Sequence, residues 1–118
     1  MRKLIAVVVI VLGLAFNTNA QEVKIVSLEQ TKGEFTQKQI TLSEGAYIFE
    51  ISNNNVGHNI GFVLAPKEDV KAHLKNAYVK EQVKNNTKQT SKTVTLAKGE
   101  YVYFCPLNPT PQYTLIVE

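Results

Sequence analysis

The sequence predicts an all-β protein, a Greek-key β-sandwich of about seven short strands with one short helical segment. Apolar and polar residues alternate in short rows, as at Tyr47, Phe49 and Ile51, and this period of two is typical of half-buried strands. Turn-forming Asn and Gly residues follow the rows, for example at 52–55 and 98–99, which favours a sandwich of short strands. The chain has 118 residues, of which 44% are hydrophobic and 19% charged, as expected for one folded domain.

The first twenty residues are predicted to be a signal peptide, which leaves 21–118 as the mature domain. A basic start at 2–3 precedes an apolar run at 4–16, and the small residue Ala20 suits cleavage after it. The apolar run is too short to span a bilayer, and no second one follows. We therefore expect bacterial export to the periplasm or beyond the cell, with no membrane span in the mature chain.

The charged and catalytic residue types exclude several classes of function. Without the two basic residues of the signal peptide, the formal charge falls from +3 to +1, and the remaining Lys residues are scattered. A nucleic-acid partner is therefore not expected. The chain has one Cys, two His and a single Asp, Asp69, so thiolate-rich zinc sites are excluded and a Ser-His-Asp triad is disfavoured. We expect a monomer that is not an enzyme.

The alternating rows place the strands in order along the mature chain. They are predicted at 23–25, 40–42, 46–52, 59–64, 91–97, 100–105 and 112–118. One segment differs, because Val70, Leu74 and Ala77 recur at helical spacing within 66–83, and Pro66 suits a first helical turn. This segment is predicted to form one or two helical turns, followed by an exposed polar loop at 84–89.

Two residues of the predicted strands are able to carry chemistry. Cys105 ends a strand, and Pro106 after it has no N–H group with which to continue the ladder. A lone Cys in an exported chain is either a buried small apolar residue or a thiolate that binds a metal. His58 opens the predicted strand 59–64 on the inward face shared with Ile60 and Phe62. Taken alone, such a His is most simply a hydrogen-bonded or exposed residue.

Two blocks of the sequence resemble the cupredoxins, the small blue copper proteins typified by plastocyanin. The block from Glu44 to Phe62 contains a turn Gly, a strand, an Asn-rich loop and then His58-Asn59. The block 99–106 is similar to the Gly-x-Tyr-x-aromatic-aromatic-Cys strand of the family. The separation of 47 residues between His58 and Cys105 also resembles that of two plastocyanin ligands. The resemblance implies a cupredoxin-like fold and copper as the cofactor.

The resemblance also implies roles for individual residues. Cys105 would supply a thiolate and His58 an imidazole, which are ligands that suit copper. Asn59 resembles the residue of the family whose backbone N–H points at the thiolate and whose side chain ties the two ligand loops. Such contacts around the ligands tune a metal site.

The ligand loop departs from the pattern of the family. A second His is expected a few residues after Cys105, but Asn108 stands there, and the mature chain has no Met to act as an axial ligand. Asn108 is a candidate for a weak oxygen ligand, Gln112 for a longer axial oxygen, and His73 for the missing imidazole. The alternative for His73 is a partly buried residue with its tip in solvent.

These observations predict a copper-related function with an altered site. The favoured hypothesis is an electron carrier or copper-handling protein that binds Cu(I) rather than forming a normal type 1 site. It would act with a redox or copper-handling partner protein. The alternative hypothesis is a binding or structural module that keeps the cupredoxin fold without a metal.

Overall fold

The computed structural model describes residues 22–118, which form eight strands and one turn of 3-10 helix. The predicted signal peptide at 1–20 lies outside the described residues. The strands are β1 Val23–Thr31, β2 Glu34–Phe35, β3 Gln39–Leu42, β4 Gly45–Asn53, β5 Val63–Pro66, β6 Lys88–Leu96, β7 Gly99–Phe104 and β8 Tyr113–Val117. The 3-10 turn spans Lys75–Ala77, between β5 and β6.

The strands form two sheets of four strands each. Sheet I has the order β2-β1-β4-β6 and sheet II the order β3-β8-β7-β5. Two strand pairs are parallel, β1 with β4 and β3 with β8, and the other pairs are antiparallel. Only β1 with β2 and β7 with β8 are neighbours that also follow each other in the sequence, and from β2 to β7 every connection crosses from one sheet to the other. The predicted all-β sandwich is confirmed.

The core lies between the two sheets and is rich in aromatic rings. Phe35 contacts Tyr103 edge-on with ring centroids 5.1 Å apart, and Phe49 lies 5.2 Å from Phe62. Phe35 is fully buried, although it belongs to β2, a two-residue strand that the sequence pattern did not predict. Edge-on aromatic pairs of this kind stabilise a core beyond the area that they bury.

The predicted strand 59–64 begins later than expected. Regular pairing starts at Val63, which faces Phe104, whereas Ile60 forms only an isolated bridge to Val83. The physical reason lies in the neighbouring strand, because the chain after Phe104 turns away at Pro106, which has no N–H. Residues before Val63 therefore have no strand beside them in sheet II.

The predicted helical segment at 66–83 contains the single turn Lys75–Ala77 and no longer helix. Short-range bonds within the segment, such as Ala77 N–H to the carbonyl of Leu74, form isolated turns, and other backbone groups bond to strands: Leu74 N–H donates to the carbonyl of Leu64, and Lys80 N–H to that of Thr90. One of the one or two predicted turns therefore forms, as a 3-10 turn, and the bonds to strands hold the rest of the segment in an extended or turn conformation. Within residues 22–118, no helix has the length and apolar character needed to cross a membrane.

Candidate metal centre

Cys105 lies directly after β7, at the end of the sandwich where the ladder stops. Its side chain is fully buried, and its sulfur accepts hydrogen bonds from the backbone N–H groups of Gly61, at 3.4 Å, and Asn108, at 3.3 Å. Its own N–H donates to Oγ1 of Thr110 at 3.1 Å. Two N–H groups aimed at one sulfur stabilise negative charge on that atom.

The loop that carries His58 is held by a buried asparagine. Asn53 Nδ2 donates to the carbonyls of His58, at 2.8 Å, and Val83, at 3.0 Å, while its Oδ1 accepts from Val56 N–H. Gly57 has a φ of +104°, a backbone conformation that favours glycine. The chain therefore turns sharply just before His58 and then reaches Gly61 beside the sulfur.

The ring of His58 is exposed to solvent, so the prediction that it shares the inward face with Ile60 and Phe62 is wrong. Both of those residues are buried. The strand begins only at Val63, so the side chains of the loop before it do not point alternately to the two faces of a sheet. Nδ1 of His58 lies 2.9 Å from the carbonyl of Asn59. Since a carbonyl only accepts, this contact places a hydrogen on Nδ1, and in the neutral ring the lone pair is then on Nε2.

Of the N–H groups near His58, the one that donates to the sulfur belongs to Gly61, whereas the resemblance gave this role to Asn59. The exposed side chain of Asn59 donates to Oε1 of Gln82 at 3.2 Å. In the resemblance, the imidazole ligand stands directly before the N–H donor. Here Ile60 stands before the donor, and it is fully buried, with its backbone bonded to Val83 in both directions.

Asn108 uses its side-chain amide for contacts within the protein. It is buried, and its Oδ1 accepts from Gly33 N–H at 2.7 Å. Its Nδ2 donates to Oε1 of Gln30 at 3.1 Å and to the carbonyl of Thr31 at 2.8 Å. The oxygen proposed as a weak ligand therefore points to Gly33. Gln112, the candidate axial oxygen, has an exposed side chain just before β8.

His73 packs on the outside of sheet II. Its Nδ1 lies 2.8 Å from the hydroxyl of Tyr78, and its ring meets Phe104 edge-on at 6.1 Å. Successive side chains of a strand point to opposite faces, and Tyr103 and Cys105 are buried while Phe104 is only partly so. Phe104 therefore points outward, and His73 lies on the face of the sheet opposite to the sulfur.

The structure thus brings together part of the predicted donor set. Cys105, the backbone of Asn108 and the loop that carries His58 meet at one end of the sandwich, whereas the ring of His73 lies elsewhere. Among residues 22–118, no three or more His, Cys, Asp or Glu side chains are grouped so that they could hold a metal ion. The three-ligand centre of two imidazoles and a thiolate does not fit this chain.

Comparison with family models decides the family. Residues 21–115 match the copper-binding proteins of the plastocyanin/azurin family. The chain belongs to this family. The cupredoxin resemblance predicted from the sequence is therefore confirmed, and copper is the cofactor that the family binds.

Solved structures of blue copper proteins have the same fold as this cupredoxin. Auracyanin A, a "blue" copper protein from the green thermophilic photosynthetic bacterium Chloroflexus aurantiacus, is 16% identical with a TM-score of 0.66, over 82% of this chain and 100% of that one. The dithionite-reduced auracyanin of Roseiflexus castenholzii is 13% identical with a TM-score of 0.61, over 84% of this chain and 99% of that one. Auracyanin B is 19% identical with a TM-score of 0.56, over 80% and 88% of the two chains. A search of curated protein sequences gave no match.

Sequence reasoning missed two residues of this cupredoxin's candidate centre. Gly61 donates to the sulfur through its backbone, and no side chain signals that role. Gln30 carries a signal that was available, because it follows Val26 and Leu28 at a spacing of two in β1. A polar residue in an inward row is unusual unless it is hydrogen-bonded, and Gln30 is fully buried with partners in both loops.

Proposed function

We propose that this cupredoxin is an exported copper-binding protein that holds a single Cu(I) through Cys105 and His58. It would act in the periplasm as a copper-handling protein or electron carrier rather than as an enzyme. It would work as a monomer that meets a redox or copper-handling partner protein.

The environment of the Cys105 sulfur carries this proposal. The sulfur is buried, and two backbone N–H groups stabilise negative charge on it. A thiolate is a soft ligand that prefers copper and other soft ions, and burial protects it from oxidation in an oxidising compartment. The match to a copper-binding family supports the choice of metal.

The donor set favours Cu(I) over Cu(II). Only one imidazole, that of His58, lies in the loops beside Cys105, and in its neutral form Nε2 would be the nitrogen that binds the metal. Bound copper would supply a redox-active, thiolate-ligated ion. The residues of the chain would hold it with one sulfur and one nitrogen, because the amide of Asn108 is already bonded to β1 and the turn after it.

A metal-free binding or structural module is the second candidate. It is favoured by Ile60, an apolar and fully buried residue in the position directly before the N–H donor. It is also favoured by the exposure of the His58 ring.

Titration of the reduced mature chain with Cu(I) and with Cu(II) tests the proposal. We expect one Cu(I) per chain and no intense blue band with Cu(II), because that band needs a thiolate with two imidazoles. Cys105→Ser should abolish Cu(I) binding, and His58→Ala should weaken it about tenfold or more. His73→Ala is the matched control and should leave it unchanged.

Each other outcome decides against part of the proposal. If the wild type binds neither ion at micromolar concentration, the metal-free module is correct. A deep blue Cu(II) complex would show that a third donor, either His73 or an exogenous ligand, reaches the copper. Equal Cu(I) affinity in His58→Ala and wild type would exclude His58 as the ligand.

A further inference from the structure

The amide of Gln30 closes a ring of hydrogen bonds around the Cys105 sulfur. Nε2 of Gln30 donates to the carbonyl of Gly61 at 2.8 Å, and its Oε1 accepts from Nδ2 of Asn108 at 3.1 Å. Gly61 and Asn108 are also the two residues whose backbone N–H groups reach the sulfur, at 3.4 and 3.3 Å. One side chain on β1 therefore contacts both residues whose N–H groups donate hydrogen bonds to the sulfur.

These contacts matter because no strand pairing joins the loop that carries Gly61 to the loop that carries Asn108. Gly61 lies before the first regular pair of β5, and Asn108 lies beyond the last residue of β7. No strand pairing fixes either N–H group on the sulfur. Gln30 belongs to the regular strand β1, where it pairs with Phe35 and Asn53, so its amide is held in one place relative to the core.

The polar character of Gln30 also points to this role. The residue is fully buried, and the preceding inward residue of β1 is Leu28. Burying an amide is unfavourable unless its donors and acceptors are paired, and an apolar residue would fill the position at lower cost. The amide contacts one loop with its donor and the other with its acceptor, which no apolar residue can do.

We propose that Gln30 is the positioning residue of the centre: it holds the N–H groups of Gly61 and Asn108 on the Cys105 sulfur and thereby strengthens metal binding there. The part that concerns the metal rests on the proposed copper function. The part that concerns the sulfur contacts does not.

Two variants of the mature chain test the proposal. Gln30→Met keeps the length of the side chain and removes both hydrogen bonds. Gln30→Glu keeps an acceptor for Asn108 and removes the donor to Gly61. Ser91→Ala is the control, because Ser91 is equally buried but its hydroxyl accepts from Phe49 N–H within sheet I.

The first measurement is amide hydrogen exchange in the metal-free protein. In Gln30→Met we expect the amides of Gly61 and Asn108 to exchange about tenfold faster or more, relative to amides of β7 in the same sample. In Gln30→Glu the effect should be larger at Gly61 than at Asn108. Ser91→Ala should change these two amides no more than those of β7. An equal change at all amides in Gln30→Met would overturn the proposal, since it would mean a loss of general stability.

The second measurement is Cu(I) affinity by competition with a chromophoric chelator. We expect Gln30→Met to bind Cu(I) about tenfold more weakly than wild type and Ser91→Ala to bind as wild type. Faster exchange without weaker binding would overturn the link between Gln30 and the metal. If the wild type binds no Cu(I), the copper function fails, and the exchange measurement still decides whether Gln30 positions the sulfur contacts.

Discussion

Buried polar side chains are concentrated at the Cys105 end of the molecule. Among residues 22–118, the buried polar residues are Gln30, Asn53, Ser91 and Asn108. Gln30 bonds to a loop beside the sulfur and Asn53 to the loop of His58, whereas Asn108 lies in the loop after Cys105 and bonds back to β1. Each such group is favourable only with its partners in place, so these side chains select one arrangement of the loops.

Tyr103 is a buried titratable group of the core. Its hydroxyl donates to the carbonyl of Gln37, and burial, together with the nearby Tyr113, raises the pKa of Tyr103 from 10.0 to about 12. Because the folded pKa lies above the unfolded one, the stabilisation is complete below pH 10 and is lost as the pH rises towards 12. We expect Tyr103 to account for a fall of about 2 kcal/mol in the free energy of unfolding across that window.

Urea unfolding at successive pH values measures this fall, and Tyr103→Phe is its control. The variant has no hydroxyl to ionise, so its stability should decline less steeply between pH 10 and 12. Parallel declines in the two proteins would contradict the prediction.

The loop 106–111 is joined to sheet I by hydrogen bonds of the Asn108 side chain rather than by strand pairing. It contains three Pro residues, and the side chain of Leu107 is 46% exposed. Asn108 is buried and bonds to β1 and to Gly33 in the turn after it. Gly33 has a φ of +79°, which glycine adopts without strain. The residue that the resemblance places at a ligand position therefore joins the loop to sheet I.

Asn108→Ala should lower the free energy of unfolding by about 2–4 kcal/mol. It removes three hydrogen bonds and leaves the Gly33 N–H and the Thr31 carbonyl without their side-chain partner. Denaturant unfolding followed by circular dichroism measures the change. Asn54→Ala is the matched control, since that exposed side chain makes a single bond, to Glu29, and should cost less than about 0.5 kcal/mol. Similar losses in both variants would show that the amide of Asn108 does not fasten the loop.

The two sheets share one core, so the molecule should unfold as a unit. β8 is an inner strand of sheet II, between β3 and β7, and its Leu115 is fully buried. Leu115→Ala should cost about 2–4 kcal/mol with an unchanged denaturant m-value. Ile25→Ala, at a side chain that is 62% exposed, should change stability by about 0.5 kcal/mol or less.

Tyrosine fluorescence and circular dichroism should give coincident transitions in both variants, because Tyr47 lies in sheet I and Tyr103 in sheet II. Two separate transitions would mean that the sheets unfold independently.

The sandwich and the end at which its chemistry lies were predictable from the sequence. Alternation of apolar and polar residues and the turn residues between the rows are local patterns in the sequence. The strands therefore appear near their predicted places. The motifs around His58 and Cys105 likewise indicated the family correctly.

Only the tertiary structure decided the donors at the sulfur, the partners of Asn108 and the face on which His73 lies. The start of β5 depends on where its neighbour β7 ends, and the N–H donor from the segment before β5 is Gly61 and not Asn59. Asn108 bonds to Gln30 and Thr31, more than seventy residues earlier in the chain. Contacts between residues so far apart leave no local pattern, because they depend on how the two sheets pack together.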